Sequence, residues 1–177
     1  MTVTRGANGR GAKDLGILPN YKPGYRQVGK GGKSGGEILQ AAVSGGIDTL
    51  VLLDGASLVG LDAKLFENAL KKAKTVIAIE SRPSVVSENA TVLIPGHAYV
   101  EKIGSVTNLE GRVQRIRPAL PPATNVVGET KVLAMLANKL GADFGDGEPI
   151  AVHRILRDEV YSGVADGARA EWKVPVA

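Results

Sequence analysis

Three short, unbroken runs of aliphatic residues constrain this chain most: TLVLLD at 49–54, TVIAI at 75–79 and TVLI at 91–94. Each has strand length and lacks the polar alternation of a strand with one wet face. Continuous Val/Ile/Leu runs of this kind belong to strands buried in a parallel sheet. Between the first two, Leu65, Phe66, Ala69, Leu70 and Ala73 recur at helical spacing, and Asp62 is placed to cap that helix. A strand, a helix and a parallel strand in that order imply a right-handed crossover. The expected fold is therefore α/β: a three-layer, doubly wound, mostly parallel sheet with flanking helices and loops gathered at the carboxyl ends of the strands.

The flanking sequence extends this pattern on both sides. Ile38, Leu39, Ala42 and Val43 predict a helix stopped by Gly45 and Gly46. A short turn or helix is expected over 84–90, and Pro95 with Gly96 closes the third strand. Pro118, Pro121 and Pro122 mark a surface crossing. Val132, Leu133, Leu136, Ala137 and Leu140 predict a helix over 129–140 ended by Gly141. After a linker at 145–149, Ile150, Val152, Ile155, Leu156 and Val160 predict one more helix, with Arg154 and Arg157 on its wet side. The end of the chain reads as irregular, with Trp172 as a packing anchor.

Residues 1–35 differ in texture, being rich in glycine, asparagine, proline and lysine without apolar periodicity. They are expected to run as an extended segment that packs through Leu15, Ile17, Leu18, Tyr21 and Tyr25 on a partner surface. The organisation expected is an extended packing segment or linker at 1–35, an α/β domain at 36–141 and a helical tail at 142–177.

Composition excludes several function classes. Twenty-two basic against 18 acidic residues leave a net charge of +4, too slight to argue for nucleic acid. With no cysteine, the chain can hold neither a disulfide nor a thiolate-ligated iron–sulfur cluster. His97 and His153 are too far apart in sequence to make a local zinc motif. No apolar run approaches the roughly 20 residues that cross a bilayer, and the first residues lack the apolar core of a secretion signal. The expectation is a soluble, cytoplasmic-type protein.

Three groups of polar residues are candidates for chemistry. The stretch 100–117 concentrates turn-forming and hydrogen-bonding groups between the β-type residues Val106, Val113 and Ile116, so it reads as a hairpin or a loop held between strands. Asn108 and Gly111 tolerate the positive φ of a tight reversal, while Glu110 and Arg112 offer a carboxylate and a planar fork of donors. The strand-end loops bring Asp54, Ser57, Glu80, Ser81 and Arg82 to the sheet edge where ligands of open α/β folds bind. No Gly-x-Gly-x-x-Gly precedes either acid, which favours strand-end or helix-capping carboxylates. The third group, GKGGKSGG at 29–36, looks like a phosphate-cradling loop around Lys33. Its first glycine position is occupied by Gln27, however, and no buried strand leads into it, so a flexible basic linker is the better reading. His97 is read as a loop histidine and His153 as a solvated one.

Two separate stretches resemble the molybdopterin oxidoreductase superfamily. One is Asn8-x-x-Gly11-x-x-Asp14-x-Gly16, followed by Leu18, Pro19 and the run Pro23, Gly24, Tyr25. The other is Glu101-x-x-Gly104-Ser105-x-x-Asn108-x-Glu110-Gly111-Arg112-x-Gln114, which follows the strand ATVLIP at 90–95. Both occur in the family's order with a strand–helix–strand unit between them. Within the superfamily the likeness is nearest to the large iron–sulfur subunit, or G subunit, of the NADH-quinone oxidoreductases of respiratory complex I. It covers about residues 4–141.

That resemblance implies a C-terminal part of such a protein, with iron–sulfur clusters carried only on cysteine-rich domains upstream. It implies other members of the NADH dehydrogenase complex as partners, and a cytoplasmic place peripheral to the inner membrane. It also implies a non-catalytic scaffold without its own cofactor, in which Asn8, Asp14, Asn108, Glu110 and Arg112 are vestigial cofactor-binding residues that tie loops together. The alternative it leaves open is a molybdopterin enzyme in which Asn108 and its neighbours contact the pterin. A second alternative, independent of the resemblance, is a nucleotide-binding module using the 29–36 loop.

Overall fold

The computed structural model of the protein describes residues 8–55 and 61–161. Ser57 and Trp172 lie outside the described residues. In chain order the helices are α1 (Gly9–Asp14), α2 (Gly35–Val43), α3 (Ala63–Lys72), α4 (Val85–Glu88), α5 (Glu129–Lys139) and α6 (Pro149–Glu159). The strands are β1 (Tyr21–Lys22), β2 (Arg26–Gln27), β3 (Thr49–Leu53), β4 (Thr75–Glu80), β5 (Val92–Pro95), β6 (Gly104–Thr107) and β7 (Val113–Ile116). They form two compact units, one built from residues 33–102 and 118–145, the other from 8–32, 103–117 and 146–161.

The first unit is organised on a parallel sheet with strand order β3-β4-β5. Leu50 pairs with Val76 and Leu52 with Ala78 across β3 and β4, and Ile79 pairs with Ile94 across β4 and β5. The three aliphatic runs are thus the three strands, and α/β is the fold class. On one side, Leu39 and Ala42 of α2 and Phe66, Ala69 and Leu70 of α3 close over Leu50, Val76 and Ala78. Fully burying large apolar side chains contributes about 1.5–3 kcal/mol each. Both covering helices start on side-chain caps. Asp62 accepts from the Leu65 amide at 2.7 Å. Ser34 and Glu37 form a reciprocal capping box at the start of α2. Val51, Leu53 and Val92 remain 41%, 43% and 46% exposed, so the continuous apolar runs are covered more fully on one face than on the other.

The second unit combines two helices and two short antiparallel strand pairs with many polar ties. β6 and β7 form the antiparallel hairpin expected over 100–117. Its reversal uses Gly111 at φ +86°, whereas Asn108 contributes its side chain, whose Oδ1 accepts from the Arg112 amide at 2.9 Å. Residues 9–14 are helical, not extended. The turn ends with Gly16 at φ +75°, where the Gly16 and Ile17 amides return to the carbonyls of Lys13 and Ala12. A Cβ on Gly16 would meet the backbone of Lys22 and Pro23. Apolar periodicity could not reveal α1, because GRGAKD contains none; tertiary hydrogen bonds hold it. The helix expected after residue 149 is present as α6, and its Leu156 packs with Leu15, Val113, Val160 and Tyr161.

Candidate functional site

The carboxyl edge of the parallel sheet gathers the polar residues of the first unit. β3 is followed by Asp54, which adopts φ +46°, a left-handed conformation that aspartate tolerates better than most residues. Its Oδ1 accepts from the Ser81 amide at 3.2 Å and the Ser81 hydroxyl at 2.9 Å. Its Oδ2 lies 3.1 Å from Lys102 Nζ, and Lys102 also reaches Glu129 Oε1 at 2.8 Å. Lys102 therefore sits between two carboxylates on elements far apart in sequence. Burial works against ionisation of Asp54, but hydrogen bonds from Ser81 and Lys102 outweigh it and hold the carboxyl below its usual range. Lys102 is likewise opposed by burial and lifted above its usual range by Glu129 and Asp54.

Glu80 ends β4 and is buried. Its two oxygens accept from the Gly55 amide at 2.6 Å and the Ser84 hydroxyl at 3.0 Å, which ties the end of β3 to the start of α4. Arg82 is exposed and stands outside this network. His97 Nε2 lies 3.4 Å from the Val126 carbonyl. Of the strand-end residues read from the sequence, the fold brings Asp54, Glu80 and Ser81 together. It adds Lys102 and Glu129, which no local motif connects to them.

The second unit engages the other candidates in bonds with one another or with backbone. Asn8 Oδ1 accepts from the buried Thr107 amide at 2.9 Å and does not cap α1. Asp14 is fully buried, and its Oδ1 accepts from Arg10 Nε at 3.2 Å and the Tyr25 hydroxyl at 3.0 Å. Burial and the bond to Asp14 push Tyr25 up to about 12. Burial also raises the neighbouring Tyr161, against a hydrogen bond with Thr107. Glu110 Oε2 and Arg112 Nε meet at 3.0 Å on the surface. Sequence reasoning missed Tyr25 as a partner of Asp14, although the Pro-Gly-Tyr run that ends eleven residues downstream belongs to the same motif. In the 29–36 stretch, Ser34, which belongs to the sheet unit, turns both its amide and its hydroxyl to Glu37 at 2.7 Å.

A pterin cradle needs several loops to converge polar groups on one cavity. Asn8, Asp14, Asn108, Glu110 and Arg112 do not fit that demand: Asp14 is closed off from solvent, the Asn8 and Asn108 carbonyls are occupied by backbone amides, and Glu110 faces Arg112 on an exposed turn. The Asp14 Oδ2 atom alone is buried without a hydrogen-bond partner among the described residues. No group of three or more potential metal ligands occurs among the described residues.

A parallel α/β sheet preceded and followed by these two motifs defines the class of protein. The Molybdopterin oxidoreductase family model matches residues 5–139, and the chain belongs to that family. The G subunit of the NADH-quinone oxidoreductase of Streptomyces coelicolor is 34% identical over 95% of this chain and 22% of its own length. The corresponding Mycobacterium bovis protein is 29% identical over 95% of this chain and 23% of its own. The alpha subunit of the F420-dependent formate dehydrogenase of Methanocaldococcus jannaschii is 31% identical over 80% of this chain and 23% of its own. The chain thus spans less than a quarter of the length of these relatives. No helix among the described residues is long and apolar enough to cross a membrane.

Proposed function

We propose that this chain is a segment of the G subunit of an NADH-quinone oxidoreductase and serves as a non-catalytic α/β scaffold in the electron-transfer arm of that complex. The observation that carries the reading is the closed polar edge of the sheet. Asp54, Ser81, Lys102 and Glu129 satisfy one another where an α/β enzyme would present groups to a ligand. The exposed apolar residues Val51, Leu53 and Val92 support it, because a scaffold needs surface for neighbouring protein. In this reading Asn8, Asp14, Asn108, Glu110 and Arg112 are vestiges of a cofactor site that now tie loops together. The partners are other members of the complex, and the place is the cytoplasmic side, peripheral to the inner membrane.

The test is co-purification. The tagged full-length protein, isolated from its host, is expected to bring down the rest of the complex together with NADH-dependent quinone reduction. Recovery of the protein alone, or with formate-oxidising activity, overturns the reading. The second outcome favours the competing one, a pterin-contacting domain, to which the likeness to formate dehydrogenase alpha subunits lends support.

A further inference from the structure

Helix α6 and the residue that follows it carry two stripes of different chemistry. Leu156 and Val160, four residues apart, form the apolar stripe that packs against Leu15, Val113 and Tyr161. Ile150, His153, Arg154 and Arg157 follow the i, i+3, i+4, i+7 spacing of a second stripe, and all four line one cavity. Gln114 and Arg115 of β7 line the same cavity, whose volume is about 310 Å³. That is the lower end of the range for small-molecule sites, about 300–1,000 Å³.

The charged groups of this lining are of one sign. Beside the apolar Ile103, Val113, Pro149 and Ile150 it contains three arginines, a histidine and a glutamine, and no carboxylate among its described residues. Arg157 is already engaged, bonded to Asp158 through Nε at 2.9 Å. Arg115 and Arg154 have no carboxylate partner among the described residues, and both are exposed. Two guanidinium groups lining one cleft together favour an anion placed between them. Each also presents a planar fork of donors that matches a phosphoryl oxygen pair. His153 is half-buried at the wall of this cavity, not solvated as its sequence position suggests. It and the Gln114 amide add directional hydrogen-bond capacity beside the two charges.

We propose that the cleft between the β6–β7 hairpin and α6 binds a small, multiply charged phosphate-class oxyanion, held chiefly by Arg115 and Arg154. None of Asn8, Asp14, Asn108, Glu110 and Arg112 lines this cleft, although Gly104 and Gln114 of the same motif do, and the inference holds whether or not the chain acts as a scaffold.

Isothermal titration of the full chain with inorganic phosphate, pyrophosphate and ADP tests the proposal. Saturable pyrophosphate binding is expected, tighter than that of phosphate and weakened at high salt. Arg115→Gln and Arg154→Gln are each expected to weaken it at least about tenfold, the equivalent of about 1.4 kcal/mol. Both positions are exposed, so unchanged circular dichroism and melting temperature should accompany the loss. ADP binding tighter than pyrophosphate would identify a nucleotide as the source of the oxyanion, and equal or weaker binding a free one. Absence of saturable binding by all three at millimolar concentration overturns the proposal, as does an affinity unchanged in the Arg115→Gln/Arg154→Gln double variant.

Discussion

The two units of this protein reach stability by different routes. Among the described residues, the sheet unit buries nine in one apolar cluster, whereas the cluster in the hairpin unit has Val160 and Tyr161 at its buried centre. The hairpin unit buries Asp14 and Thr107 as well, and hydrogen bonds with Asn8, Arg10 and Tyr25 satisfy them in part. Apolar burial is non-directional and survives sequence drift, while a buried polar tie fails when one partner changes. In the reading proposed above, the motif residues of the hairpin unit are ties of this second kind. That contrast can be broken or sharpened by substitution.

The largest effect should fall on the sheet unit. Phe66→Ala is expected to cost about 3–5 kcal/mol in denaturant unfolding followed by circular dichroism, because it empties a packed position. Ile17→Ala, at a side chain 73% exposed in the hairpin unit, should stay within about 0.5 kcal/mol. Equal costs would erase the contrast.

Next comes a polar tie. Asn8→Ala leaves the buried Thr107 amide without its acceptor and should cost about 1–3 kcal/mol. Faster hydrogen exchange at Thr107 should accompany it, with the amides of β4 unaffected. A loss below about 0.5 kcal/mol, the range of an ordinary surface change, would mean that the motif asparagine is not structural.

The titration of Tyr25 gives a third test. Its folded-state value is raised from the usual 10.0 to about 12, so the stability it contributes is complete below 10.0 and disappears as pH rises through about 12. Lys102, also raised, weakens the sheet unit in the same alkaline direction. Asp54 is lowered, so its contribution is present above the usual 3.8 and is lost as pH falls through its folded value. Asp14→Asn should bring the tyrosinate absorbance transition of Tyr25 back towards 10.0; an unmoved transition would deny the Asp14–Tyr25 bond. Glu110→Gln removes an exposed pair and should change stability by at most about 1 kcal/mol.

The legibility of the sequence follows the same division. The strands of the parallel sheet and the helices α2, α3, α5 and α6 are readable because apolar residues recur with the period of the element or fill a buried strand. The hairpin is readable from Asn108 and Gly111, although only Gly111 uses positive φ. Helix α1 is not, since tertiary bonds and not periodicity hold GRGAKD in place. Lys102 is invisible as a hub because its partners Asp54 and Glu129 are brought near only by the fold. Ser34 carries the Ser-x-x-Glu signature of a helix start, but the surrounding glycines and lysines point instead towards a phosphate loop or a linker.

Central to the proposed function is that the motif residues of this family serve here as internal ties, with no pterin among their partners. Molybdenum, tungsten and pterin content of the full-length protein, purified within its native assembly, tests it most directly. No stoichiometric metal and no fluorescence of oxidised pterin are the predicted result. One pterin-bound metal per polypeptide, lost on Asn8→Ala or Asp14→Asn, would contradict it.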